Sequence, residues 1–204
     1  MRPLFRRPSR RSYKTYQSYW NDLFDAYGPF CAYCETRTRD LDVEHVEPKS
    51  LVPGKKTSWR NLVLACLTCN RDFKRANNAN RDGYVFPDYD ETLKVFHYRR
   101  DGTVGAVTRA SVATRKLCGL NRDAAIGSRQ DALKRAIDTR KEFNAGTRKP
   151  EDIIVWAAVL GYWSIWVSVY HDVPAMMTLL CDHRYFPGTR ATFLHPNNRP
   201  LIRI

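Results

Sequence analysis

CAYCETRTRDLDVEHVEPKSLVPGKKTSWRNLVLACLTCNRDFK, residues 31–74, holds two Cys-x-x-Cys pairs, Cys31/Cys34 and Cys66/Cys69. Each such turn offers two sulfurs to one ion, and two turns complete a tetrahedral Zn²⁺ site. Four cysteine ligands leave no open coordination position, so this zinc is expected to be structural. A single pair would read as readily as a redox dithiol, but nothing around these pairs resembles a thioredoxin-like unit. The gap of 31 residues between Cys34 and Cys66 is long for a plain zinc ribbon and must hold more than a finger loop.

Inside the gap the chain reads Leu41-Asp42-Val43-Glu44-His45-Val46-Glu47-Pro48-Lys49, and later Trp59-Arg60-Asn61-Leu62 running into Cys66. After Cys69 come Asn70-Arg71-Asp72-Phe73-Lys74. An acid–His pair followed by a proline, then Asn-Leu leading into Cys-x-x-Cys-Asn-x-x-x-Lys, resembles the signature of the HNH (ββα-metal) endonucleases. The likeness extends to the four-cysteine, zinc-binding HNH nucleases of bacterial anti-phage defence, of the Septu nuclease-subunit type. The start of a helix at Leu120-Asn121-Arg122 is similar to those proteins as well.

The resemblance implies a β-hairpin and a helix clamped around one catalytic divalent ion. His45 would be the general base, a role that suits a group whose ordinary pKa lies near neutrality. Asn61 would face it across the hairpin and orient the imidazole. Asn70 and Glu44 would be oxygen ligands of Mg²⁺ or Mn²⁺, with Glu44 standing where the family usually has aspartate. Neighbours in a strand point to opposite faces, so Glu44 and His45 cannot both point inward from an ideal strand. Asp42 is the alternative ligand and shares Glu44's face; the family pattern favours Glu44. Lys49, Lys74 and Arg71 are phosphate-contact candidates, and Arg71 reads equally well as a solvated helix charge.

Outward from this stretch, the sequence predicts an α+β protein: the HNH core with its four-cysteine zinc site, a small added β-hairpin and a mainly helical C-terminal half. Three segments follow: 1–28, a basic arm and helix; 29–107, the nuclease core and hairpin; and 108–204, helices packed on the core or on a partner. Residues 12–27 place Tyr16, Trp20, Phe24 and Tyr27 at helical spacing before Gly28-Pro29. Two short strands flank Asp101-Gly102, a hairpin signal. Asn121 reads as the N-cap of a helix to about Asn144, with Gly146 as its stop, and further helices start at Pro150 and Pro174. The tail from Phe186, with Pro187, Gly188, Pro196 and Pro200, reads as irregular.

Residues 153–169 carry no charge. A run of that length touches the lower limit for a membrane span. Its three tryptophans, glycine and serines favour one buried core helix over a span, with docking on a partner protein as a third reading. Cys118 and Cys181 read as ordinary buried thiols. His97 reads as structural, and His171, His183 and His195 have no motif around them.

The formal net charge is +13 and the pI about 9.7, which favours a polyanionic partner. Arg2, Arg6, Arg7, Arg10, Arg11 and Lys14 precede the first acid, Asp22, and form either a loose solvated terminus or an arm that tracks phosphates. No apolar run follows these charges, so a reducing, cytoplasmic setting without membrane association is expected. The expected activity is metal-dependent hydrolysis of DNA, with RNA an open alternative. Two other readings compete with it: a non-catalytic zinc module, and a subunit that cuts when a partner such as an ATPase delivers the substrate. A binding module needs the cysteines and the basic residues, but not His45, Asn61 and Asn70 together.

Overall fold

The computed structural model describes residues 1–9, 11–78 and 80–190. Arg10, His195, Pro196 and Pro200 lie outside these residues. The fold is mixed α+β, built around the hairpin that the motif implies. Strand β1 (Leu41–His45) pairs antiparallel with β2 (Leu62–Cys66), Leu41 opposite Cys66 and His45 opposite Leu62. Leu62-Val63-Leu64-Ala65 is an unbroken apolar run and is fully buried. The chain leaves β2 into a wide π-helical turn, Thr68–Lys74, in which the Arg75 N–H donates to the Asn70 carbonyl at 2.8 Å.

The helix predicted over 12–27 is shorter than its periodicity suggests. Helix α1 spans Trp20–Tyr27 and is entered through a 3-10 turn, Gln17–Tyr19. Hydroxyl side chains compete for the preceding backbone: the Tyr13 N–H donates to the Tyr19 hydroxyl at 3.3 Å, and Thr15 and Ser18 bond each other at 2.8 Å. Gly28 then ends the helix at φ 74°. The helix buries Leu23 and Tyr27 and the turn before it buries Tyr19, while Tyr16, Trp20 and Phe24 pack at the margin.

The basic N-terminus is not a loose arm over its first six residues. Met1, Arg2 and Leu4 are buried, and the Met1 ammonium pairs with Glu35 at 2.9 Å. Arg2 donates to the carbonyls of Tyr27 at 2.7 Å and Pro187 at 2.8 Å. Arg6 donates to the Leu62 carbonyl at 2.8 Å and pairs with Asp88 at 2.9 Å. Arg81 holds the same carboxylate at 3.0 Å. Burial alone would raise the Asp88 pKa, but the hydrogen bonds and charges of Arg81 and Arg6 outweigh it and hold the carboxyl below its ordinary 3.8. A carboxyl depressed in the folded state adds stability above its unfolded pKa and loses it as pH falls through the folded value. Asp88→Asn is therefore expected to cost about 1–3 kcal/mol at neutral pH, because it removes the carboxylate of the partly buried Arg6 and leaves Arg81 only its 3.8 Å contact with Glu47. The same variant should flatten the acid limb of the stability–pH curve below about pH 4, measured by denaturant melts across pH.

The second hairpin forms where Asp101-Gly102 predicts it, from β3 (Phe96–Tyr98) and β4 (Val104–Ala106). Gly105 lies opposite His97, and a Cβ there would stand 2.0 Å from the His97 ring. His97 thus packs as a buried strand residue across a glycine gap.

The C-terminal half is helical: α2 (Arg109–Leu117), α3 (Asp123–Asn144), α4 (Pro150–Leu160), α5 (Trp163–Tyr170) and α6 (Pro174–Leu180). Two expectations change here. Asn121 does not cap α3; its side chain grips both backbone groups of Val104, at 2.8 and 3.1 Å, and Arg122 takes the cap position. The uncharged run 153–169 is two helices rather than one, because Gly161 at φ 78° and Tyr162 at φ 55° break it. The break lets Gly161 approach the Cys31–Cys34 knuckle: it bridges to Thr36, and a Cβ on it would meet the Glu35 carbonyl at 2.7 Å. Helix α5 is buried, whereas α4 leaves Val155, Trp156 and Val159 exposed. Among the described residues no helix is long and apolar enough to cross a membrane. One hydrophobic core runs from Met1 to Phe186 through all three segments.

Candidate metal centre and active-site cleft

The four cysteines meet where three local structures converge. Cys31 and Cys34 sit on a tight turn whose Ala32 N–H donates to the Leu64 carbonyl of β2 at 2.8 Å. Cys66 ends β2, and Cys69 lies in the π-turn. All four are buried and their sulfurs lie within 4.8 Å of one another, with Cys34 and Cys66 at 3.8 Å. Sulfurs at the corners of a tetrahedron with ~2.3 Å zinc–sulfur bonds stand ~3.8 Å apart, so the cluster fits a zinc ion. Among the described residues no carboxylate or imidazole joins the four thiols, which agrees with a closed structural site.

Two residues around this centre have roles that sequence reasoning missed. Arg122 donates to Cys69 Sγ at 3.4 Å and to Cys34 Sγ at 3.6 Å. The hydrogen bonds of the other three thiols, together with the Arg122 charge, hold the Cys34 thiol well below its ordinary pKa. Glu35, next to the knuckle, adopts φ 67° and is buried. Its carboxylate accepts from the Tyr98 hydroxyl at 2.6 Å and the Ser164 N–H at 2.8 Å, and its carbonyl accepts from the Tyr162 N–H at 3.1 Å. The only sequence signals were the acid following Cys34 and the Leu-Asn-Arg at 120–122.

A cleft of about 570 Å³ gathers Asp42, Glu44, His45, Lys49, Asn70 and Arg71. His45 ends β1, and its Nε2 lies 2.8 Å from the Lys56 carbonyl. A carbonyl can only accept, so Nε2 carries the proton and Nδ1 the lone pair. Tyr16 packs edge-on against the imidazole at 4.6 Å and accepts a hydrogen bond from Lys49 Nζ at 2.6 Å. Burial lowers the His45 pKa from its ordinary value; the hydrogen bond to the Lys56 carbonyl pulls the other way, and the charges of Lys49, Lys74 and Lys56 add to the lowering. The imidazole is therefore neutral at neutral pH.

Asn61 does not reach the imidazole. Its side chain bonds both backbone groups of Glu47 at 2.8 Å, clipping together the two ends of the loop that presents the Lys56 carbonyl. Lys74 is not placed to meet a phosphate either. It is 0% exposed and donates to Glu44 at 2.7 Å and to the His45 carbonyl at 2.8 Å. The π-turn aims its last residue back under β1, where a free ammonium would be costly without these acceptors. Glu44 also accepts from the Tyr33 hydroxyl at 3.3 Å. Burial still raises the Glu44 pKa, with the Lys74 charge pulling the other way. Asp42 is more open to solvent; it accepts from Arg71 at 2.8 Å and from Asn70 at 3.4 Å. Asp42, not Glu44, is thus the acid hydrogen-bonded to Asn70.

Comparison with known proteins meets this geometry at the same place. The family model described as HNH endonuclease matches residues 31–74. Septu protein PtuB of Bacillus thuringiensis is 32% identical over 75 residues, which cover 33% of this chain and 29% of that protein. The chain therefore spans under a third of the length of that relative. The family match thus falls on the β1–β2 hairpin and π-turn that the four cysteines join.

Proposed function

We propose that the protein is a metal-dependent endonuclease that hydrolyses phosphodiester bonds of DNA. The observation that carries this reading is His45, its Nε2 engaged by the Lys56 carbonyl, in one cleft with Asp42, Glu44 and Asn70. His45 takes the proton from the attacking water at Nδ1. Asn61 acts at one remove, by holding the loop that holds the ring. The oxygens of Glu44 and Asn70 form a hard donor set suited to Mg²⁺ or Mn²⁺, and Asp42 is the next acid available to it. When bound, such an ion stabilises charge on the phosphate and on the leaving oxygen. Lys74 keeps Glu44 paired and in place, and Lys49 and Arg71 at the cleft rim meet the phosphates. The zinc held by the four cysteines is structural.

The likeness to a Septu protein supports a role in bacterial anti-phage defence, in the cytoplasm, with a partner such as an ATPase controlling access to the substrate. The engagement of Glu44 by Lys74 favours a second reading, a non-catalytic zinc module that binds nucleic acid or protein. Incubation with plasmid, single-stranded DNA and RNA separates the two. Cleavage of DNA is expected with Mg²⁺ or Mn²⁺ added and none without a divalent ion. If no substrate is cut under any of these conditions, alone or with its genomic neighbours, the nuclease reading falls.

A further inference from the structure

Beside the cleft lies a larger groove of about 1180 Å³, walled by the N-terminal segment, the loop before β2 and residues 80–89. The two are separated by one loop: Lys55 lines the groove, and the carbonyl of its neighbour Lys56 holds His45. The groove floor is a chain of ion pairs. Arg6 and Arg81 share Asp88 at 2.9 and 3.0 Å, and Lys55 pairs with Glu47 at 2.6 Å. These three cations meet Asp88 and Glu47, and Asp82 also lines the groove, so the floor is close to balanced.

The rim is more basic. Arg7 and Arg60 are exposed, and neither has an ion pair among the described residues. The Trp59 indole N–H donates to the Arg7 carbonyl at 2.7 Å, which ties the two walls together without using the Arg7 guanidinium. Tyr89 is 83% exposed, with the Arg81 guanidinium 5.9 Å from its ring. A large aromatic ring left in water, in a groove also lined by the unpaired Arg7 and Arg60, is the chemistry of a platform for an unpaired base. Duplex DNA hides its base faces and cannot use such a ring.

We infer that this groove binds an unpaired nucleic-acid strand that continues into the cleft, with Arg7 and Arg60 on its phosphates and Tyr89 stacked on a base. The inference rests on the nuclease reading only for what happens at the end of the strand. Binding can therefore be measured without cleavage, by fluorescence anisotropy of a labelled oligothymidylate and of a duplex of equal length, with no added divalent ion.

The single strand is expected to bind more tightly than the duplex. Arg7→Ala/Arg60→Ala should weaken binding and reduce the slope of log K against log salt by about 1.4, two contacts at about 0.7 each. Arg7→Lys/Arg60→Lys should keep the slope. Tyr89→Ala should cost about tenfold in affinity with the slope unchanged. All three variants change exposed side chains and should melt like the parent. An unchanged slope in the double alanine variant overturns the inference. So does a duplex bound as tightly as the single strand, or an equal loss for Tyr89→Ala on an acidic polypeptide such as polyglutamate. If the groove variants lose binding but no substrate is ever cut, the groove stands and the nuclease reading falls. Cleavage with groove variants that bind like the parent gives the reverse.

Discussion

Replacing His45 with alanine is expected to slow DNA cleavage by about 10²–10⁴-fold, the range a positioned general base supplies. The argument rests on what the substitution leaves in place. Asp42, Glu44 and Asn70 are held by Arg71, Lys74, Tyr33 and one another, not by the imidazole. The ring's own contacts are Tyr16 and one carbonyl, so zinc content should not change. The parent enzyme's pH profile carries the same information. A base must be neutral to act, and the His45 pKa is lowered from its ordinary value. Activity should therefore rise with pH through a value below about 6.5 and stay flat above it. A His45→Ala protein that cuts at the parental rate, or a rise centred well above that value, would sink the assignment.

Removing one zinc ligand should have the largest effect on stability. Structural zinc in small domains contributes ~10–16 kcal/mol, as large as the ~5–15 kcal/mol net stability of a typical domain. Cys66→Ser is expected to lose zinc and to unfold the hairpin and π-turn, because Cys66 ends β2 and faces Cys34 at 3.8 Å. Arg122→Gln keeps all four sulfurs but removes two donors from them, and should weaken zinc about 10–100-fold without unfolding the loaded protein. Metal analysis, chelator competition and circular dichroism read these outcomes. A zinc-free Cys66→Ser protein with the parental melting temperature would overturn the structural role.

The parts of this fold that are legible in the sequence are those set by spacing. The two cysteine pairs, the Asp101-Gly102 turn and the helix starts at Pro150 and Pro174 each depend on a few adjacent residues. What the sequence hides is which distant group a polar side chain meets. Lys74 reads as a phosphate contact until the π-turn is seen to drive it under β1. Asn121 has the residue type of a cap, but it is used on Val104, 17 positions away. Glu35 follows Cys34 in the sequence, yet it meets Ser164 across 129 positions. The break at Gly161 was visible as a glycine, but only that contact explains why a helix should stop there. The cleft was partly legible for a similar reason: its members lie in one short motif, but the division of labour between Asp42 and Glu44 depends on Lys74 and Tyr33.

The attachment of Glu35 to α5 also bears on how the molecule opens. The Tyr162 and Ser164 amides end on Glu35, and the Ala32 amide ends on Leu64, so the metal knuckle, the central hairpin and the C-terminal helices share hydrogen bonds end to end. Such a chain of contacts makes one cooperative unit rather than a finger with helices appended. Amide exchange at Ala32, Tyr162 and Ser164 should therefore report a single opening event with a common free energy. Metal loss at one end would then be felt as faster exchange in helices that touch no sulfur.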